Sequence, residues 1–162
     1  MASKNTKTSK NTKTKNARKT RVTRPPAASL ADREQPETLR LRQVKPALTV
    51  SDIRRSLAFY KEVLGFTVKD RWEAGGELTG VEVVAGNLTL MLSQDDFKKG
   101  RDRVKGLGQR LWCLTAQDVD ALASQIRARG ATIDEGPTSE WGMRFFTVTD
   151  PDGFRLTIAQ ER

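Results

Sequence analysis

The 162 residues contain no histidine, one cysteine and one tyrosine. With Cys113 alone, no intrachain disulfide can form. The absence of histidine removes the commonest transition-metal ligand and the commonest general base. It also leaves the Cys113 thiol without an imidazole partner, so nucleophilic catalysis of the Cys–His or Ser–His kind is excluded. Residues 1–30 hold no acidic side chain and almost no large apolar one. No stretch is long and apolar enough to span a bilayer. The N-terminus has no apolar core of a signal peptide, and its Lys-rich start offers no apolar helical face for a transit peptide. The expected location is the cytoplasm, with no membrane partner.

What the first 30 residues do hold is nine Lys/Arg and an exact repeat, SKNTKT at 3–8 and again at 9–14. The other 20 basic residues of the chain are matched by 20 acidic ones, so the net charge of +9 belongs to the start of the chain. Such a segment cannot offset its ordering entropy by burial. Residues 1–38 are therefore expected to be a disordered basic tail. The tail has the charge to neutralise nucleic-acid phosphates non-specifically, but no interleaved aromatic with which to stack on bases.

The remainder, 41–162, reads as two copies of one unit. Leu48–Val68 lies over Leu114–Ile133: strand, Asp52 or Asp118, a helical stripe, Gly65 or Gly130, then a new strand. Each Asp stands where a helix N-cap belongs, and each Gly where a left-handed C′ residue belongs. Apolar residues recur at three- and four-residue steps, at Ile53, Leu57, Tyr60 and Leu64 and again at Val119, Leu122 and Ile126. GNLTL at 86–90 lies over GFRLTI at 153–158. The pattern predicts module one over 43–93, a polar linker over 94–109 and module two over 110–160. Helices are expected at 52–63 and 118–129, with strands at 43–50, 66–73, 79–85, 87–93, 110–116, 131–136, 144–149 and 154–160. Asp150-Pro151-Asp152-Gly153 is a tight-turn signal, and both acids are assigned to the turn.

A duplicated βαβββ unit carrying VSDIRRSLAFYKEVLGF, WGMRFFTVTDPDGF and LTI resembles the vicinal oxygen chelate superfamily. That group includes glyoxalase I, extradiol dioxygenases, fosfomycin-resistance enzymes and bleomycin-resistance proteins. The resemblance implies an α+β fold in which two tandem βαβββ modules form a curved, partly open mixed β-barrel with helices outside. It implies a homodimer, and in the enzymes a divalent metal on the concave face. By the family's pattern the ligand positions fall at Lys45, Thr89, Leu111 and Thr157. An ammonium, a leucine and two lone hydroxyls do not make a divalent site. Glu82 and Glu140 are expected to be solvated. The expectation is no metal, no cofactor and no catalytic residue.

Strand alternation, phased on Thr157, then sets the pocket. Lys45, Thr49, Thr89, Met91, Leu111, Cys113, Phe145, Arg155 and Thr157 are expected to face the ligand, and Trp112 to enter the core. Trp141 is a candidate ligand contact, and Arg144 or Arg155 can hold an anionic group. Three readings follow. The first is a metal-free protein that sequesters a small molecule. The second is a lyase, isomerase or other enzyme of this family with unknown substrate. The third is a nucleic-acid-associated protein acting through its tail.

Overall fold

The computed structural model describes residues 41–161. They form two four-stranded mixed sheets, each carrying one helical segment. The first contains β1 (Ala47–Val50), β2 (Thr67–Ala74), β3 (Glu77–Ala85) and β4 (Leu88–Gln94), in the order β1-β4-β3-β2. The second contains β5 (Arg110–Leu114), β6 (Glu135–Glu140), β7 (Met143–Thr149) and β8 (Arg155–Glu161), in the order β5-β8-β7-β6. In each, the first strand runs parallel to the last and the other pairs are antiparallel. This is the tandem βαβββ arrangement, and the sheets do not close into a barrel. The expectations for residues 1–38 lie outside the described residues.

Helix α1 (Ile53–Ala58) continues as a π-helical turn, Phe59–Val63, and α2 spans Val119–Ala128. Both begin at the expected caps. The Asp52 carboxylate accepts the N–H groups of Arg54 and Arg55 at 3.0 and 3.1 Å, and Asp118 accepts that of Ala121 at 2.8 Å. Each satisfies backbone donors that the first helical turn leaves free.

One side of each sheet is apolar and covered. Leu48, Val50, Val81, Val83, Leu90 and Leu92 pack with Ile53 and Tyr60, and Phe154 and Leu156 of the second module join the same cluster. Val119, Ala123 and Ile126 of α2 pack on Phe146 and Val148, with Phe59, Val63 and Leu64 of the first module alongside. The modules therefore share a core through their helix sides. Burying a large aliphatic or aromatic side chain stabilises by about 1.5–3 kcal/mol, so these two clusters are the main source of cohesion.

The Asp150–Gly153 turn is as expected in one respect: Asp150 Oδ1 accepts the N–H groups of Asp152 and Phe154 at 2.9 and 2.8 Å. It does more besides. Asp152 reaches across to module one, accepting from the Ser51 N–H at 2.8 Å and the Ser56 hydroxyl at 3.1 Å. The buried Tyr60 hydroxyl donates to Asp150 Oδ2 at 3.0 Å. The linker closes over this seam. Lys105, nearly buried, meets Asp95 at 2.9 Å, and a Cβ on Gly106 would collide with the Gly153 carbonyl.

Two strands depart from expectation. The strand expected at 43–50 begins only at Ala47, just after Pro46, so that Lys45 lies before it. The second departure is larger. The predicted strand at 131–136 is observed as β6, four residues later. It contains Gly136 and Pro137, which are poor strand formers, and its pairing shifts between Glu135 and Thr138. An edge strand tolerates a proline because the outward amide needs no partner.

Candidate ligand-binding site

The faces of the sheets follow from the pairing. In module one, Ala47 stands opposite Met91, and Met91 opposite Glu82; Thr49 stands opposite Ser93, and Thr89 opposite Val84. Thr49, Thr89 and Met91 thus lie on the face away from the helix, as expected. Lys45 reaches the same face, its ammonium 3.1 Å from both carboxylate oxygens of Glu82. Lys69 donates to Glu82 Oε1 at 2.6 Å. Glu82 was expected in solvent, but its side chain is 5% exposed. Two ammonium partners explain how a carboxylate tolerates that place. Their hydrogen bonds, Lys69 first, hold it below the usual carboxylate range.

In module two, Trp112 pairs with Thr157, and Thr157 with Thr147; Leu114 pairs with Ala159, and Ala159 with Phe145. The open face therefore carries Trp112, Phe145, Thr147, Arg155 and Thr157. Leu111 and Cys113 stand opposite Leu156 and Ile158, on the helix side, and Trp112 does not enter the core. This corrects the expected phase of β5 by one residue. The cause is the match of LTVSD to LTAQD, which equates Leu48 with Leu114. Leu48 is 2% exposed and Leu114 is 64% exposed, so identical letters occupy opposite faces. The Cys113 thiol is pushed up by burial, away from a reactive thiolate.

Arg144 is also displaced from the expected pocket. It stands beside Gln160 on the helix side and grips Asp120 of α2 with two bonds, at 3.0 and 2.6 Å. A guanidinium held in that fork is engaged with structure. Cationic capacity on the open face comes instead from Arg155 and from Arg110, which the sequence reading missed. Both converge on Glu135 Oε2, Arg110 at 2.6 Å and Arg155 at 3.4 Å. The Thr147 hydroxyl donates to the same oxygen at 3.3 Å and shares a 2.9 Å bond with Thr157. The signal that could have found Arg110 is its place at the start of β5, opposite Arg155 at the start of β8.

Around these polar groups lies an aromatic platform. Trp141 is stacked on Phe145 with planes 2° apart and centroids 5.9 Å apart, and Trp112 leans on the same ring at 5.4 Å. Arg110 lies over the Trp112 ring at 5.9 Å. Trp141 and Gly142 form a two-residue hairpin turn with φ of 52° and 76°, and Trp141 is 73% exposed.

The donor set does not fit a divalent metal. Lys45 places an ammonium beside the carboxylate that would otherwise be the ligand. Thr157 is bonded to Thr147. The indole of Trp112 has a donor N–H and no lone pair to offer. Among the described residues no group of three or more His, Cys, Asp or Glu side chains could hold a metal ion. No helix among them is long and apolar enough to cross a membrane.

Comparison with known proteins agrees with the fold. Residues 42–158 match the model of the Glyoxalase/Bleomycin resistance protein/Dioxygenase superfamily. The chain is 30% identical over 112 residues to the glutathione transferase FosA of Serratia marcescens, covering 68% of this chain and 74% of that one. It is similar to the crystal structure of the virulence protein STM3117 of Salmonella typhimurium, at TM-score 0.59 and 27% identity over 77% of this chain and 100% of the other. TnmS3, an antibiotic-binding protein of Streptomyces sp. CB03234, shares the fold at TM-score 0.61 and 24% identity, over 77% of this chain and 100% of that one. The duplicated sheets, the shared helix-side core and the family match together make this chain a member of the Glyoxalase/Bleomycin resistance protein/Dioxygenase superfamily.

Proposed function

We propose that the chain is a metal-free small-molecule-binding protein that holds a planar aromatic ligand on the open face of module two. The observation that carries this reading is Trp141. A tryptophan in the left-handed region is an outlier, because the first position of such a turn favours Asn, Asp or Gly. An exposed indole kept there, parallel to a buried phenylalanine, has a use beyond turn formation. Phe145 backs the exposed Trp141 ring from below, and Trp112 stands against Phe145 at 59° as a side wall. Arg110 and Arg155 against the single Glu135 leave an excess positive charge for an anionic substituent. TnmS3, an antibiotic-binding protein of the same fold, supports the use of this scaffold for sequestration. The likeness to FosA supports the enzyme reading, which the Lys45–Glu82 pair and the Thr157–Thr147 pair oppose.

A thermal-shift screen of the full chain tests the proposal, since a ligand of the native state raises its apparent stability. Planar aromatic acids are expected to raise the midpoint, while zinc, manganese and nickel ions and their chelators leave it unchanged. One equivalent of metal retained after mild chelation, or turnover of methylglyoxal with glutathione, overturns the metal-free reading.

A further inference from the structure

The two modules do not meet symmetrically. On one side of the seam the Asp150–Phe154 turn brackets α1: Asp152 accepts from Ser56 and Asp150 from Tyr60, four and eight residues past the Asp52 cap. The corresponding positions past the Asp118 cap are Leu122 and Ile126 of α2. The turn that faces them is the shorter Gly86-Asn87 hairpin between β3 and β4. Between these groups lies a cavity of about 530 Å³, running along β5, the outermost strand of its sheet. Phe66, Leu88, Cys113 and Ile158 complete its apolar wall, and none of its lining residues is charged.

We propose that this seam cavity is a second binding site, for an uncharged and mainly apolar small molecule. Its volume falls in the range of ligand pockets, about 300–1,000 Å³. A charged ligand would lose hydration there without a counter-charge. Asn87, Thr115 and Gln117 supply polar contacts for one neutral hydroxyl or carbonyl. The cavity borders the aromatic platform at Trp112, which lines both. Its own lining holds no guanidinium, whereas the platform adjoins Arg110 and Arg155.

The test uses the full chain carrying Trp141→Asn, which removes the exposed stacking ring of the platform, and the neutral fluorophore N-phenyl-1-naphthylamine. Saturable binding of one equivalent is expected, with the fluorescence gain of an apolar site. Cys113 is the chain's single thiol and lines the cavity, so bound probe is expected to shield it. At a probe concentration about ten times its Kd, N-ethylmaleimide labelling slows about tenfold. Leu122→Trp, which fills the cavity, abolishes the probe signal. Unchanged labelling of Cys113 in saturated Trp141→Asn protein overturns the proposal even if Leu122→Trp does not fold. So does a probe signal that survives in folded Leu122→Trp, which places the probe elsewhere. Absence of saturable probe binding to the full chain also overturns it.

Discussion

At Trp141 a backbone cost and a side-chain gain oppose each other. Left-handed φ costs a residue other than glycine about 1–2 kcal/mol, and an aromatic pair returns about 0.5–1.5 kcal/mol. Trp141→Asn removes both, since asparagine suits the first position of this turn. Folding stability is therefore expected to change little, within about 1 kcal/mol of wild type. Affinity for a planar aromatic ligand is expected to fall about tenfold or more, as loss of a stacked anchor does. Calorimetric titration and a thermal melt on the same sample separate the two effects. Glu82 makes a different residue-scale prediction. Its hydrogen bonds to Lys69 and Lys45 depress its pKa in the folded state. A depressed carboxylate contributes stability that is present above the unfolded value and lost as pH falls through the folded one. Glu82→Gln is thus expected to be destabilised most at neutral pH, with the gap to wild type closing on acidification. Urea melts across that range check it, and a gap that does not vary with pH refutes it. Neither residue's environment was legible from sequence in full. Glu82 is a buried charge whose partners are 37 and 13 residues away, and no local pattern announces them. Trp112 and Cys113 exchanged faces because strand alternation is unforgiving: a one-residue error in register flips every side chain.

Among the elements, the helices and most strands were readable because their signals are local. Asp52 and Asp118 cap as expected, Gly65 and Gly130 take φ of 81° and 93°, and the 3.6-residue stripe buries Ile53, Tyr60, Val119 and Ile126. β6 was not readable, because Gly136-Pro137 argues against a strand and β7 alone provides its pairing. Nor was the seam. The Asp150–Gly153 turn could be assigned from composition, while its hold on Ser51, Ser56 and Tyr60 comes from elements about 90 residues away or more. Tyr60→Phe tests that hold. Burial pushes the Tyr60 hydroxyl up, so it remains a donor, and burial also raises Asp150 above the ordinary carboxylate range. Removing the hydroxyl leaves a buried carboxylate oxygen short of a partner, at a cost of about 1–3 kcal/mol. Chemical denaturation is expected to show that loss with an unchanged m-value. A stability equal to wild type shows that the seam stands on apolar packing alone.

At the scale of the molecule the open faces remain unpaired. Each sheet keeps its first strand, β1 or β5, at an edge, and the faces turned away from the helices carry Trp72, Trp112, Leu114 and Trp141, all exposed. Free strand edges and a cluster of exposed large apolar residues are the surfaces that soluble chains cover by association. The two modules bury their helix sides against each other, so one chain has no second helix side with which to cover an open face. A two-fold axis does this economically, since one contact made twice closes both chains. We therefore expect a homodimer in which each open face of module two is sheltered by the partner, and in which the aromatic platform becomes the floor of a cleft. Light scattering at micromolar concentration is expected to give twice the 18.1 kDa chain mass. Leu114→Glu places a charge on the exposed edge strand without entering either core, and is expected to yield a folded monomer whose affinity for planar aromatic acids is weaker than that of the dimer. A wild-type mass of one chain, unchanged on concentrating the sample, rejects the dimer and leaves the platform open to solvent. A Leu114→Glu protein that stays dimeric places the contact away from β5, and then the cleft is not formed by these faces.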